Sequence, residues 1–238
     1  MAAAPIRADG RETAGKLRPL SAELSCLSRA DGSARLTCGS TQVLAAVYGP
    51  ATPRSRERSG EAIIAAVFKR GISESAPSWA ASEREIERFL VDTLTSCVCV
   101  KDYPRGAIEI VVQVIRADGS VAGTALNAAV MALMDAGVQM HSLPTATTCL
   151  LPTLAGADGP WLDPCRAEEE SPDTTGIIIV TVSIRGGVLA SITFGVFQFD
   201  SFLACVEGAS RASTAVVAFM RTAIEQKVTR EAQTLWST

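Results

Sequence analysis

Val121 and Ala122 stand where a strand turns into a helix, a position at which the residue types decide what chemistry the turn can do. A sharp strand-to-helix turn leaves unpaired N–H groups at the helix start, and those groups make a ready site for an anion. Chemistry on a phosphate would add an arginine or a hydroxyl there, and this chain supplies two apolar side chains instead. Other reactive groups are scattered. The chain has seven cysteines (Cys26, Cys38, Cys97, Cys99, Cys149, Cys165, Cys205), mostly inside apolar runs and with no C-x-x-C pair. Buried reduced thiols are the plain reading, and a zinc or redox motif is not indicated. The one histidine, His141, lies after a helix and before Pro144, too little for a two-histidine metal site, and reads as a loop residue with no chemical role. Charge gathers in two places. Ala51–Gly60 (ATPRSRERSG) carries Arg54, Arg56 and Arg58, followed by Lys69, Arg70, Arg84 and Arg88, while Glu168, Glu169, Glu170 and Asp173 form an acidic run.

The elements that must position these groups follow from hydrophobic periodicity. Leu24–Leu27, Ala34–Cys38 and Gln42–Tyr48 read as three strands of a meander, and Ala62–Phe68 as a fourth. Ser82–Val98 reads as a helix, with Ser82 and Glu85 forming a capping box and Ile86, Phe89, Leu90, Leu94 and Cys97 an inner stripe. Ala107–Arg116 (AIEIVVQVIR) is β-branched and alternating, Ala117–Ser120 is a turn, and Gly123–Gly137 is helical, its apolar face carried by Leu126, Ala129, Val130, Leu133 and Met134. Further strands are expected at Ala146–Leu151, Gly176–Ile184 and Val188–Phe197, and a terminal helix at Ser201–Arg230. This order predicts an α/β sandwich with helices packed on one side of mixed sheets. The tetrad Ala-Asp-Gly-Ser occurs at Ala30–Ser33 and Ala117–Ser120, which a repeated turn explains.

At 238 residues and 47% hydrophobic, the chain has ample length to bury a core as one domain or two fused halves. The expected division is a flexible N-terminal arm over 1–16 and a single domain over 17–238. The formal charge of −3 argues against a protein that coats nucleic acid unaided, though it leaves room for a local basic patch. No stretch is expected to reach the roughly 18 apolar residues of a membrane span, and the first residues, MAAAPIRADGRETAGK, have no apolar core of a secretory signal. No membrane partner is expected.

In their order and spacing, a series of short motifs resembles the ribonuclease PH-fold family, most of all the small ring subunits of the eukaryotic RNA exosome. They are Arg7-Ala8-Asp9-Gly10-Arg11, Leu17-Arg18-Pro19, Asp31-Gly32-Ser33, Gly39-Ser40-Thr41-Gln42-Val43-Leu44, Tyr48-Gly49-Pro50, Glu85-Ile86-Glu87-Arg88, Tyr103-Pro104-Arg105, Ala117-Asp118-Gly119 and Asn127-Ala128-Ala129. The resemblance runs from about Arg7 to about Ile224. It implies the ribonuclease PH fold (ribosomal protein S5 domain 2-like).

Family members that degrade RNA attack its 3′ end with inorganic phosphate, which needs a cationic cradle and a carboxylate to protonate the leaving group. The family's Thr/Ser-Arg pair after the Ala-Asp-Gly turn corresponds to Val121 and Ala122, and its second phosphate-binding arginine corresponds to Asp92. Charge-assisted contacts contribute roughly 1.5–3 kcal/mol each, so two losses remove about 3–6 kcal/mol, or two to four decades of phosphate affinity. Trp161–Glu169 resembles the family's acidic loop, with Asp163 and Glu169 matching its catalytic aspartates. These two are either a residual general acid or metal-binding pair, or part of a solvated acidic loop. Arg54, Arg56 and Arg58 match the loop that faces the RNA path, with Lys69 and Arg70 nearby, and an arginine loop paired to Glu57 and Glu61 is the alternative.

The resemblance therefore implies a subunit of the exosome ring in 3′–5′ RNA processing, its own phosphorolytic site inactive. Its partners would be other ribonuclease PH-like ring subunits, cap subunits and single-stranded RNA, in the nucleus (nucleolus included) and cytoplasm. The competing expectation is a homodimeric nuclease with residual phosphorolytic or metal-dependent activity on RNA or DNA, and only then would inorganic phosphate or Mg²⁺ be needed. A small-molecule kinase is disfavoured, because no GxxxxGK[S/T] loop is present.

Overall fold

The computed structural model describes residues 7–52, 60–71, 81–153 and 159–236, with side chains through 234. Two sheets hold the strands. The first contains β1 (Leu20–Leu24), β2 (Gly32–Cys38), β3 (Thr41–Ala51), β4 (Ile63–Lys69) and β5 (Ala107–Arg116), in the order β1-β2-β3-β5-β4. All neighbours are antiparallel except β4 and β5, which run parallel because helix α1 (Glu83–Cys97) intervenes. The second contains β6 (Pro144–Pro152), β7 (Trp161–Leu162), β8 (Thr174–Ser183) and β9 (Val188–Gly195), in the order β7-β6-β8-β9 and antiparallel throughout.

Helix α2 (Val121–Asp135) lies between the sheets, against β2 and β3 on one side and β6 on the other. Every residue from Ala122 to Leu133 is buried, so the helix is wrapped all round and the single apolar face read from periodicity is too narrow. Small residues make this possible: Ala and Gly let strands approach the helix backbone, and a Cβ on Gly123 would come 3.1 Å from Thr148 Oγ1. Helix α1 packs on β4 and β9, and its expected capping box is present, Glu85 N donating to Ser82 Oγ (3.3 Å) and Ser82 N to Glu85 Oε2 (2.7 Å). The long helix α4 (Phe199–Trp236) covers β6 and β8 with Cys205, Ala209, Ala212, Val216 and Met220. Contrary to the expectation that no stretch reaches a membrane span, Phe199–Thr234 has the length and composition of a bilayer crossing, yet its buried stripe faces the sheet.

Two expectations are corrected. The first strand is Leu20–Leu24 rather than Leu24–Leu27, because Ser25 adopts a left-handed conformation (φ 53°) and ends the strand. Residues 7–16 do not form a loose arm: Arg7 and Arg11 are buried, and Leu162 N donates to the Ala14 carbonyl (2.9 Å).

Candidate functional site

The turn between β5 and α2 meets the 161–170 segment, which folds as β7 followed by a single helical turn, α3 (Arg166–Glu169). The contact is close. Gly119 has φ +77°, and a Cβ there would lie 2.6 Å from Cys165 C and 2.8 Å from Arg166 N, so only glycine fits. The segment is no solvated acidic loop. Asp163, Glu168 and Glu169 are all buried, and only Glu170 and Asp173 of the charge run face solvent.

Each buried carboxylate has a different partner. Asp163, itself in a left-handed conformation (φ 52°), accepts from Arg18 N (3.0 Å), Nε (3.0 Å) and Nη2 (2.7 Å), and from Cys38 Sγ (3.1 Å). Burial pushes its carboxyl up, but the Arg18 hydrogen bonds and charge outweigh that and hold it below the ordinary aspartate value. The same negative charge, added to burial, pushes the Cys38 thiol far up. Glu168 takes a two-pronged bond from Arg7, through Nε (2.9 Å) and Nη2 (2.8 Å), and accepts from Cys165 N (3.0 Å). Burial would raise its carboxyl, and Arg7 overrides that to leave it lowered. Arg7 also stacks over Trp161, 5.5 Å from the ring centre.

Among the described residues, Glu169 has no such cation in hydrogen-bond contact. It accepts from Ser120 N (2.7 Å), the residue preceding α2, so the helix start that sequence marks as an anion site is occupied by the chain's own carboxylate. Burial dominates and pushes this carboxyl up to about 7, the Ser120 N–H and distant Arg18 offsetting only part. Val121, Ala122, Ile177, Ile179 and Phe194 share with Glu169 the lining of a cavity of about 40 Å³. Thr148 Oγ1 also borders it, buried and without a hydrogen-bond partner among the described residues.

The remaining predicted residues scatter. Asp92 is not at this cavity: it is exposed on α1, 3.7 Å from Arg88. Lys69 is exposed and paired with Glu83 (2.9 Å). Arg70 does line the cavity, its Nη2 donating to the Ala81 carbonyl (2.7 Å) and its guanidinium 5.9 Å from the Phe68 ring centre. Arg54, Arg56 and Arg58 lie outside the described residues. Arg7, Arg11 and Arg18, which in the sequence stand out only as parts of motifs, hold Asp163 and Glu168 in place. Arg11 joins it through the Asp163 carbonyl (2.7 Å) and lies 3.6 Å from Glu168. Among the described residues no group of three or more metal-ligating side chains is brought together.

Residues 16–139 match the model of the 3′ exoribonuclease family, domain 1, and the chain belongs to the ribonuclease PH family. It is similar to the exosome complex exonuclease RRP46 homolog of Arabidopsis thaliana, with 33% identity over 92% of this chain and 96% of that one. It also resembles the human exosome complex component MTR3, with 37% identity over 68% of this chain and 66% of that one. Among solved structures, rice (Oryza sativa) Rrp46 superposes with a TM-score of 0.79 at 34% identity, covering 91% of this chain and 99% of that one. An Archaeoglobus fulgidus exosome with RNA bound to the active site shares the fold at 18% identity and a TM-score of 0.72, over 89% of this chain and 91% of that one.

Proposed function

We propose that this chain is a ribonuclease PH-like subunit of an exosome ring, that it serves 3′–5′ RNA processing through assembly and RNA contact, and that its own site does not perform phosphorolysis. The observation that carries the last point is Glu169 capping the start of α2 beside Val121 and Ala122. A phosphate dianion entering there meets the apolar Val121 and Ala122 where a preorganised cation and hydroxyl would be needed, and the Ser120 N–H is already taken by Glu169, whereas electrostatic preorganisation supplies most of the stabilisation of a transferring phosphoryl group. Other ring subunits, cap subunits and single-stranded RNA are the proposed partners, and nucleus and cytoplasm the proposed locations.

The second reading, a self-sufficient nuclease, keeps one observation in its favour. Glu169 titrates near neutrality and Arg70 borders the same cavity, so one proton donor and one cation share a wall. Purified protein incubated with 3′-labelled single-stranded RNA, with and without phosphate and Mg²⁺, separates the two. Nucleoside diphosphate release is expected to be absent or several decades below that of an active family member. Robust phosphate-dependent release, abolished by Glu169→Gln, would establish the enzyme instead. Asp163→Asn is the poorer probe, since it leaves Arg18 buried against a neutral group.

RNA contact is assigned to Arg54, Arg56 and Arg58, with Lys69 and Arg70 nearby. Replacing the first three with Ala is expected to weaken binding to single-stranded RNA and flatten its salt dependence, since each phosphate contact releases counterion. An unchanged salt slope would remove this loop from the RNA path.

A further inference from the structure

The only histidine of the chain lies against a thiol. His141 Nδ1 is 3.3 Å from Cys99 Sγ, with the imidazole exposed and Cys99 half-buried. The pair is held from both sides. Val98 and Met140 form an isolated antiparallel bridge, Cys99 N donates to the Gln139 carbonyl (3.0 Å), and His141 N donates to the Cys97 carbonyl (2.8 Å). Antiparallel pairing of 98 with 140 puts 99 and 141 on the same face as diagonal neighbours, within reach of a long side chain. Val98 and Cys97 are buried, and the Tyr103 hydroxyl accepts from Gln139 N (3.0 Å), which fixes the second strand of the bridge. The contact is therefore built into two anchored backbones. It does not depend on the flexibility of a loop.

A nucleophile and a base within hydrogen-bond reach are the geometric requirement for an activated thiol. We propose that Cys99, with His141 as its proton acceptor, is a site of thiol modification by peroxides and similar small electrophiles. A neutral imidazole protonated on Nε2 accepts the thiol proton at Nδ1. The sulfur then attacks one peroxide oxygen, an S–O bond forms and the O–O bond breaks. The leaving hydroxide takes the proton back from the imidazolium as water. Sulfur is oxidised by two electrons to the sulfenic acid and the peroxide is reduced. Position separates this site from the carboxylate cluster: Cys99 follows α1, and Asp163, Glu168 and Glu169 sit at the start of α2. The proposal stands whether or not the exosome reading does.

An internal comparison is available. Cys26 is also half-buried, but its Sγ lies 3.1 Å from the Glu23 carbonyl, an acceptor that cannot take up a proton at neutral pH. Cys38, Cys97, Cys149, Cys165 and Cys205 are buried and report on intactness of the fold. The full-length protein would be treated at pH 7 with iodoacetamide, or with hydrogen peroxide and dimedone, and each cysteine quantified by peptide mass spectrometry. Cys99 is expected to react about tenfold faster than Cys26, and His141→Gln to bring the two within about twofold while the five buried thiols stay protected. Cys99 reacting no faster than Cys26 in the unaltered protein overturns the proposal by itself. So does an unchanged Cys99 rate in a folded His141→Gln variant.

Discussion

At the scale of single residues, two neighbouring carboxylates are pulled in opposite directions by what each touches. Asp163 is anchored by three Arg18 hydrogen bonds and stays charged, whereas Glu169 is buried with one backbone N–H and is held up to about 7. A raised folded-state value has a definite sign in stability. Below the ordinary glutamate value of 4.5 the folded and unfolded chains both hold the proton, and Glu169 costs nothing. Between there and about 7 the unfolded chain releases the proton while the folded chain keeps it, so stability falls as pH rises, then levels off. The full loss is on the order of 3 kcal/mol. Gln keeps an oxygen to accept the Ser120 N–H and carries no charge. Glu169→Gln should therefore lose most of the decline in urea-unfolding free energy between pH 5 and pH 8, and be the more stable protein at pH 8. Equal pH slopes for the two proteins would show that Glu169 is solvated in the folded state.

At the scale of elements, α2 is the piece on which the fold turns, and one side chain ties it to the second sheet. Asn127 Nδ2 donates to the Ala146 carbonyl and its Oδ1 accepts from Ala146 N, both at 2.9 Å, completing the hydrogen bonding of a buried β6 residue from within a helix. Asn127→Ala leaves both backbone groups unpaired in a dry interface, and should cost about 1–3 kcal/mol in urea unfolding; a loss below about 0.5 kcal/mol would mean that water replaces the amide. What was legible in the sequence follows the range of the physics involved. Local patterns told true: alternation marks β5 at Ala107–Arg116, and Ser82 with Glu85 marks the start of α1. The left-handed Ser25 that truncates β1 and the left-handed Ser120 that starts α2 before Gly123 are non-glycine residues, so nothing in their type announces them. Asp163 and Glu169 were readable as motif positions. The partner of Asp163, Arg18, is 145 residues away and is chosen by how the second sheet docks on the first, which no short pattern encodes. Asp92 shows the converse: a position matched by motif need not point into the site that the motif serves.

At the scale of the whole molecule, the apolar surface is uneven. Helix α2, rich in alanine, is buried between the sheets from Ala122 to Leu133, so that stretch offers nothing to a partner. The two most exposed large apolar side chains among the described residues, Val196 and Phe199, lie instead where the second sheet's edge strand leads into α4. Among the described residues strand β9 pairs with β8 alone, and it alternates between exposed and half-buried positions. Its exit continues through Val196 (89% exposed), Phe199 (71%) and Leu203 (48%) into the first turns of α4. An open strand edge next to exposed apolar side chains both templates backbone pairing and gains from being covered. With a net charge of only −3, little long-range repulsion opposes association. The isolated protein is thus expected to sediment as dimers or larger species at micromolar concentration. Val196→Asp combined with Phe199→Asp should shift it toward monomer without lowering its melting temperature by more than a few degrees, since neither side chain contributes to the core. Co-expression with a ribonuclease PH-like ring partner should likewise replace self-association with a defined complex. A compact monomer of the unaltered chain under the same conditions would show that this edge is adequately protected by its own twist and polar neighbours, and would take away the physical reason for a ring to form through it.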